Sequence, residues 1–324
     1  MQVLSCSFVK AVKKDYLCTV IYMIMESVQT NSIKAWILAA RPKTLAAAAT
    51  PVLLGCSLAH TDGMFQIIPA ILCFLFAFTM QIDANFINDY FDYLKGSDRE
   101  DRLGPERACA QGWITLKAMK RGIAFTTLLS CVWGLLILCY SGLEMIPVGL
   151  LCILFAFLYT AGPYPLAYHG WGDVLVIVFF GFVPVGCTYY TMAHDWTWNV
   201  TIACAACGLV SDLLLMLNNY RDRDTDRKAG KRTLVTLIGE KATEKLYLGL
   251  AVVALLLTLP VLRLATALLF VWLFVAHIPT WRYMKMVNYG RELNEILAMT
   301  AQNIAAFGIF LACSIFLLRA YNAL

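Results

Sequence analysis

Two short polar stretches, each closing an apolar run, carry residue types and spacings that can do chemistry. In the first, Asn88, Asp89 and Asp92 follow Asn85 by 3, 4 and 7 positions. At 3.6 residues per turn the four share one helix face. Gly96 breaks the helix and lets Asp98 fold back toward that face. Several hard oxygen donors on one stripe suit Mg²⁺, which takes a few carboxylates and completes its shell with water and substrate phosphate. In the second stretch Asn218, Asp222 and Asp226 repeat every four residues, again one face, with Arg221, Arg223, Arg227, Lys228, Lys231 and Arg232 interleaved. Two acidic stripes at one membrane face suggest metal clusters across a cavity, with Arg and Lys holding phosphate oxygens. The chemistry this serves is ionisation of a diphosphate ester, the metals neutralising the leaving group. In a membrane the other end of that ester is a lipid, and an allylic prenyl diphosphate fits both halves.

The elements that must position these stripes are membrane helices. The chain has 324 residues, 60% hydrophobic and only 15% charged, with mean hydropathy +0.68. A soluble domain would carry nearer a quarter charged residues. Nine spans are expected, near 34–60, 64–95, 116–141, 145–162, 172–193, 197–221, 241–261, 264–283 and 294–318. No strand pattern is visible. The expected fold is all-α, a polytopic bundle of nine transmembrane helices around a central cavity. Most of the 12 cysteines sit singly in apolar runs, where they act as small hydrophobes. The Cys204–Cys207 pair has no second pair near it, and the four histidines are scattered. Neither pattern points to zinc or redox chemistry.

With a cytoplasmic N-terminus, 24 of the 26 Lys and Arg fall on the inner side, leaving Arg263 and Arg319 outside. That asymmetry is a positive-inside signal. It makes the chain a multi-pass protein of the cell membrane, with both polar loops and the active face cytoplasmic. Residues 1–33 read as a dispensable leader, because Tyr16 to Met25 is too short to span and lacks a cleavage pattern. Residues 34–324 read as a single intramembrane domain. Asp83 and Asp212 lie deeper in the acidic-motif helices and read as interhelical hydrogen-bonding groups.

These motifs resemble the UbiA superfamily of intramembrane prenyltransferases, over residues 34–318. The resemblance rests on N-D-x-x-D-x-x-x-G-x-D at 88–98 and D-x-x-x-D at 222–226. Within that superfamily, R-P-K-T-L at 41–45, G-P-E-R at 104–107, Y-T-A-G-P-Y-P-L-A-Y-H-G at 159–170 and D-R-K-A-G-K-R-T-L at 226–234 are similar to the branch that prenylates 1,4-dihydroxy-2-naphthoate. Gly96 occupies the last acidic position of the broad pattern, and Asp98 stands two residues on.

The resemblance implies that Asn88, Asp89, Asp92 and Asp98, with Asp222 and Asp226, hold Mg²⁺ on a polyprenyl diphosphate. It implies Asn85, Asn218, Lys95, Arg221, Lys228 and Arg232 as substrate-binding residues. Aromatic faces stabilise an allylic cation without trapping it, and Tyr159, Tyr90 and Tyr164 are the choices. In the naphthoate branch the acceptor's carboxylate leaves as CO₂, giving demethylmenaquinone. Arg41, Lys43 or Arg107 would hold that carboxylate. Asp92, Asp222, Tyr159 and Arg107 are thus the expected catalytic set. The expected partners are polyprenyl diphosphate, the naphthoate and the lipid bilayer, with no nucleic acid. 4-Hydroxybenzoate or homogentisate is the runner-up acceptor, and a cation transporter the distant alternative.

Overall fold

The structure, a computed structural model, describes residues 28–96, 103–262 and 267–322. The expected roles of Asp98 and of residues 1–27 fall outside that set, and so does the side chain of Lys43. Among the described residues nine helical segments are long and apolar enough to cross a membrane. The described residues are otherwise turns and short helices, with one isolated bridge between His169 and Arg232.

The helices in chain order are α1 (Ile33–Ala40), α2 (Pro42–Thr61), α3 (Ile67–Leu94), α4 (Leu116–Ser141) and α5 (Ile146–Thr160). After them come α6 (Gly172–Ala193), α7 (Trp198–Lys228), the short α8 (Leu234–Ile238), α9 (Glu240–Leu262), α10 (Ala267–Val287) and α11 (Leu293–Asn322). The single first span expected at 34–60 is two helices. Arg41 sits between them at φ 52, ψ 69. The cause is Pro42, which has no N–H to donate and disfavours helical φ/ψ in the residue before it. The sixth span runs on to Lys228, seven residues past the expected edge, so the whole second acidic stretch is helical.

α7 is the central helix. Its apolar window is 72% buried, against 11% for α5 and 17% for α4. Those outer helices turn Phe125, Leu128, Leu151 and Leu154 outward, as lipid-facing surfaces require. α7 packs against α9, α11 and α6, while α3 packs on α2 and α4. α6 crosses α7 at glycines. A Cβ on Gly181 would lie 2.5 Å from the carbonyl oxygen of Cys204, and one on Gly208 would lie 2.7 Å from that of Ile177. Small residues at such a crossing let the two backbones approach.

α6 is π-helical from Val178 to Gly186. The thiols of Cys204 and Cys207 stand 3.8 and 3.5 Å from the carbonyl oxygens of Phe182 and Phe180 in that segment. The Cys204–Cys207 pair therefore joins two helices. Asp83 also joins helices, accepting from Thr126 Oγ1 at 2.5 Å and Thr127 Oγ1 at 2.9 Å. Ahead of α1, Thr30 Oγ1 donates to Gly112 O at 3.0 Å, and Thr115 N donates to Asn31 Oδ1 at 3.1 Å. The expected leader boundary at 33 thus falls inside a contact with the 112–115 turn.

Candidate active site

A cavity of about 1230 Å³ runs between α2, α3, α4, α5, α6 and α7. Both acidic stripes line it. From α3 come Asn85, Asn88, Asp92 and Lys95, and from α7 come Asn218, Arg221, Asp222, Asp226 and Lys228. Arg41, Arg107 and Tyr159 line it as well. The remaining wall is largely apolar, with Phe76, Leu135, Phe155, Phe179 and Val183 among its side chains.

α3 ends where expected. Lys95 caps it and Gly96 takes φ +65, a conformation that costs a residue without Cβ little. Asn88 accepts a short hydrogen bond from the hydroxyl of Thr160 at the end of α5. Lys95 donates to the backbone oxygen of the same residue. Burial pushes the Lys95 ammonium below the usual lysine range, opposed by the charge of Asp92. Asn85 Nδ2 donates to Ala40 O at 3.0 Å and Thr44 Oγ1 at 3.1 Å, tying the α1–α2 break to α3.

Three site residues are corrected. Asp89 is 1% exposed and is absent from the cavity wall. Its two oxygens accept from the backbone N–H of Ala108 and Cys109 at 2.9 and 3.0 Å. At 100° per residue it lies about 40° to one side of Asn85 while Asn88 lies about 60° to the other, and only the latter side faces the cavity. Arg232 is exposed outside the cavity, and its backbone N–H donates to Tyr168 O at 2.9 Å. Arg221 reaches the cavity wall but its side chain is fully buried. It donates to both Asp222 oxygens at 2.8 and 2.6 Å, to Asn218 Oδ1 at 2.8 Å and to Asn294 Oδ1 at 2.8 Å. A guanidinium so consumed orients the second stripe. Of the aromatic choices, Tyr159 alone lines the cavity. Tyr90 is buried elsewhere, and Tyr164 stacks on His169 at the surface.

Five contacts were not legible from the sequence. Arg107 Nη2 stands 3.3 Å from Asp92 Oδ2. Tyr168 donates its hydroxyl to Asp92 Oδ1 at 3.3 Å, and the ammonium groups of Lys95 and Lys231 lie 5.1 and 5.5 Å from its ring centre. Lys231 is also 3.5 Å from Asp226 Oδ2. Tyr168 thereby connects the two stripes. Its position in the 159–170 motif was the available signal. Arg223 points away, donating to Tyr220 O and Asn288 O.

Among the described residues no three His, Cys, Asp or Glu form a compact metal-binding group. The donor set nonetheless fits Mg²⁺. Each stripe offers amide and carboxylate oxygens to the cavity, and the buried Asp226 Oδ2 faces the Lys231 ammonium at 3.5 Å. Mg²⁺ is held by one or two carboxylates together with substrate phosphates.

Known proteins share this organisation. A 1,4-dihydroxy-2-naphthoate octaprenyltransferase of Escherichia coli strain K12 is 38% identical over 222 residues, 67% of this chain and 72% of that protein. One from Mycobacterium tuberculosis is 36% identical over 269 residues, 82% of this chain and 90% of that protein. Among solved structures, a UbiA homologue from Archaeoglobus fulgidus bound to GPP and Mg²⁺ is similar with a TM-score of 0.64 at 15% identity, covering 87% of this chain and 99% of that one. Residues 48–301 match the model of the UbiA prenyltransferase family. This multi-pass membrane chain belongs to the UbiA prenyltransferase family.

Proposed function

We propose that the chain transfers a polyprenyl group from a polyprenyl diphosphate to 1,4-dihydroxy-2-naphthoate, releasing diphosphate and CO₂. The observation that carries this reading is the shared cavity. Its one end collects Asn88, Asp92, Asn218, Asp222 and Asp226, and its wall beyond them is largely apolar. Such a cavity suits a molecule with a diphosphate at one end and an isoprenoid at the other. The named activity of the E. coli and M. tuberculosis relatives supplies the acceptor.

Asn88 and Asp92 on α3, with Asn218, Asp222 and Asp226 on α7, would hold Mg²⁺. When bound, the metal supplies charge neutralisation to the leaving diphosphate. Lys95, Lys228 and Lys231 at the same end give ammonium groups for phosphate oxygens. Arg221 keeps Asp222 and Asn218 aimed at the cavity. Tyr159 offers the aromatic face for the allylic cation. Arg41 and Arg107 are the cavity's guanidinium groups for the acceptor carboxylate. The charge asymmetry of the loops supports a cytoplasmic polar end.

The test is product analysis with purified protein, Mg²⁺, a polyprenyl diphosphate and carboxylate-labelled naphthoate. The expected product lacks the label, which leaves as CO₂. A prenylated product that keeps the label rejects the decarboxylating reading. Preference for 4-hydroxybenzoate moves the chain to a different acceptor class.

A further inference from the structure

Several polar side chains on the cavity wall take no part in the mechanism above, and two of them, Asp173 and Ser211, lie on the facing helices α6 and α7. Asp173, in the first turn of α6, is 8% exposed and lines the cavity, and its Oδ1 makes no hydrogen bond. Ser211, on α7, is 5% exposed and lines the same cavity, with the Cys207 thiol one turn back as its neighbour and no oxygen or nitrogen partner for its Oγ. A helical serine can satisfy itself on the carbonyl four residues back, as Ser57 does on Leu53 at 2.8 Å. Ser211 does not. Buried polar atoms are almost always partnered, so the orphan Asp173 oxygen, with the Ser211 hydroxyl on the same cavity wall, points to a ligand that completes them.

The surroundings narrow the ligand. A Cβ placed on Gly172 would lie 3.5 Å from the Tyr159 hydroxyl and 3.2 Å from Leu215 Cδ2, so α6 begins beside the proposed cation-stabilising ring. Behind the wall Asp212 is 1% exposed and close enough to Asp173 for their charges to interact. A second acid there makes this wall hostile to a diphosphate, and it turns the acceptor's own carboxylate away, toward Arg41 and Arg107, leaving a hydroxyl to face Asp173. Lys231 is near, but its ion-pair partner is Asp226.

We propose that Asp173 and Ser211 form the acceptor subsite, binding the phenolic hydroxyl that neighbours the prenylated carbon. The hydroxyl donates to the Asp173 carboxylate and accepts from Ser211 Oγ. In the transfer, the prenyl C–O bond breaks and diphosphate leaves with the electron pair. The acceptor's carboxylate-bearing carbon bonds to the prenyl carbon, its neighbouring hydroxyl becomes a carbonyl, and that proton passes to Asp173. Loss of CO₂ returns its bonding pair to the ring, and Asp173 gives the proton back to the oxygen. No proton is gained or lost overall.

This inference rests on the naphthoate reading, and its test separates the two. Wild type, Asp173→Asn and Ser211→Ala are compared on the naphthoate and on its ether methylated at the hydroxyl beside the carboxylate. Asp173→Asn should lower kcat/KM for the naphthoate about tenfold or more, with KM for the polyprenyl diphosphate held within roughly twofold. Wild type should prefer the free hydroxyl about tenfold or more over the ether, a preference that Asp173→Asn loses. If wild type turns over the naphthoate and Asp173→Asn keeps both rate and preference, the subsite is wrong and the function stands. If wild type does not prenylate the naphthoate, both fall. Should Asp173→Asn not purify folded, Ser211→Ala decides: an unchanged KM for the naphthoate overturns the proposal.

Discussion

Tyr168 donates its phenolic O–H to Asp92 Oδ1 at 3.3 Å, while Lys95 from one motif and Lys231 from the other approach its ring. One side chain from the α5–α6 connection thus holds both acidic stripes' lysines. Tyr168→Phe removes only the bond to the carboxylate. It should cost ~1.5–3 kcal/mol of transition-state stabilisation, roughly ten- to a hundredfold in kcat/KM for the polyprenyl diphosphate. Tyr168→Ala also removes the ring on which both ammonium groups rest and should cost more. Equal rates for the Phe variant and wild type would show that the contact does not matter to turnover.

Asp89 and Asp92 stand one turn apart and should fail differently. Asp92→Ala and Asp222→Ala should each abolish transfer while thermal unfolding in detergent stays near wild type. EDTA should inhibit wild type and Mg²⁺ restore it. Asp89→Ala leaves the N–H groups of Ala108 and Cys109 buried without an acceptor, a loss of about 1–3 kcal/mol or more because the acceptor is charged. It should lower Tm, and the fraction that remains folded should keep Mg²⁺-dependent activity. Activity that vanishes in folded Asp89→Ala protein would return Asp89 to the metal site.

Lys95 gives a pH signature. Burial lowers its pKa beneath the ordinary 10.5, so the folded protein sheds this proton at lower pH than the unfolded chain does. The cost of burying the ammonium is therefore present below the folded pKa. It is relieved as pH rises from there toward 10.5, and stability from this group increases across that window. Activity runs the other way, because phosphate binding needs the ammonium. The alkaline limb of kcat/KM for the polyprenyl diphosphate should move to higher pH in Lys95→Arg, whose guanidinium stays charged. An unmoved limb would assign it to another group.

Orientation follows from the loop charges. Cysteine at Leu237, which is 64% exposed in α8, should resist an impermeant thiol reagent added outside intact cells. Cysteine at Asp195, in the exposed α6–α7 turn, should react, after correction for native cysteines. The opposite pattern would invert the topology.

Truncation tests the expected leader. A chain starting at Met25 keeps Thr30 and Asn31, which bond to the 112–115 turn. It should insert and retain full turnover. Starting at Lys34 deletes those bonds and should lower Tm. Loss of activity in a correctly inserted Met25 chain would give residues 1–24 a role.

The sequence by itself determined the nine spans, the end of α3 at Gly96, and the two polar stripes. All are local: apolar length, a glycine's tolerance of positive φ, and the 3.6-residue repeat. Periodicity also fixes the angles between Asn85, Asn88, Asp89 and Asp92, but only relative to one another. Which edge of that stripe meets the cavity depends on where the 103–115 loop lies, and that loop takes Asp89 for its own N–H groups. The same limit hid Arg221, whose charge reads as a phosphate ligand until Asn294 on α11 is seen to share it. Tyr168 and Asp92, which hydrogen-bond, are 76 positions apart, and Asp173 and Ser211, which line one cavity, are 38 apart. They share the cavity because Gly181 and Gly208 let α6 lie against α7 and because the α5–α6 connection folds over the cavity's polar end, and no local pattern encodes either pairing.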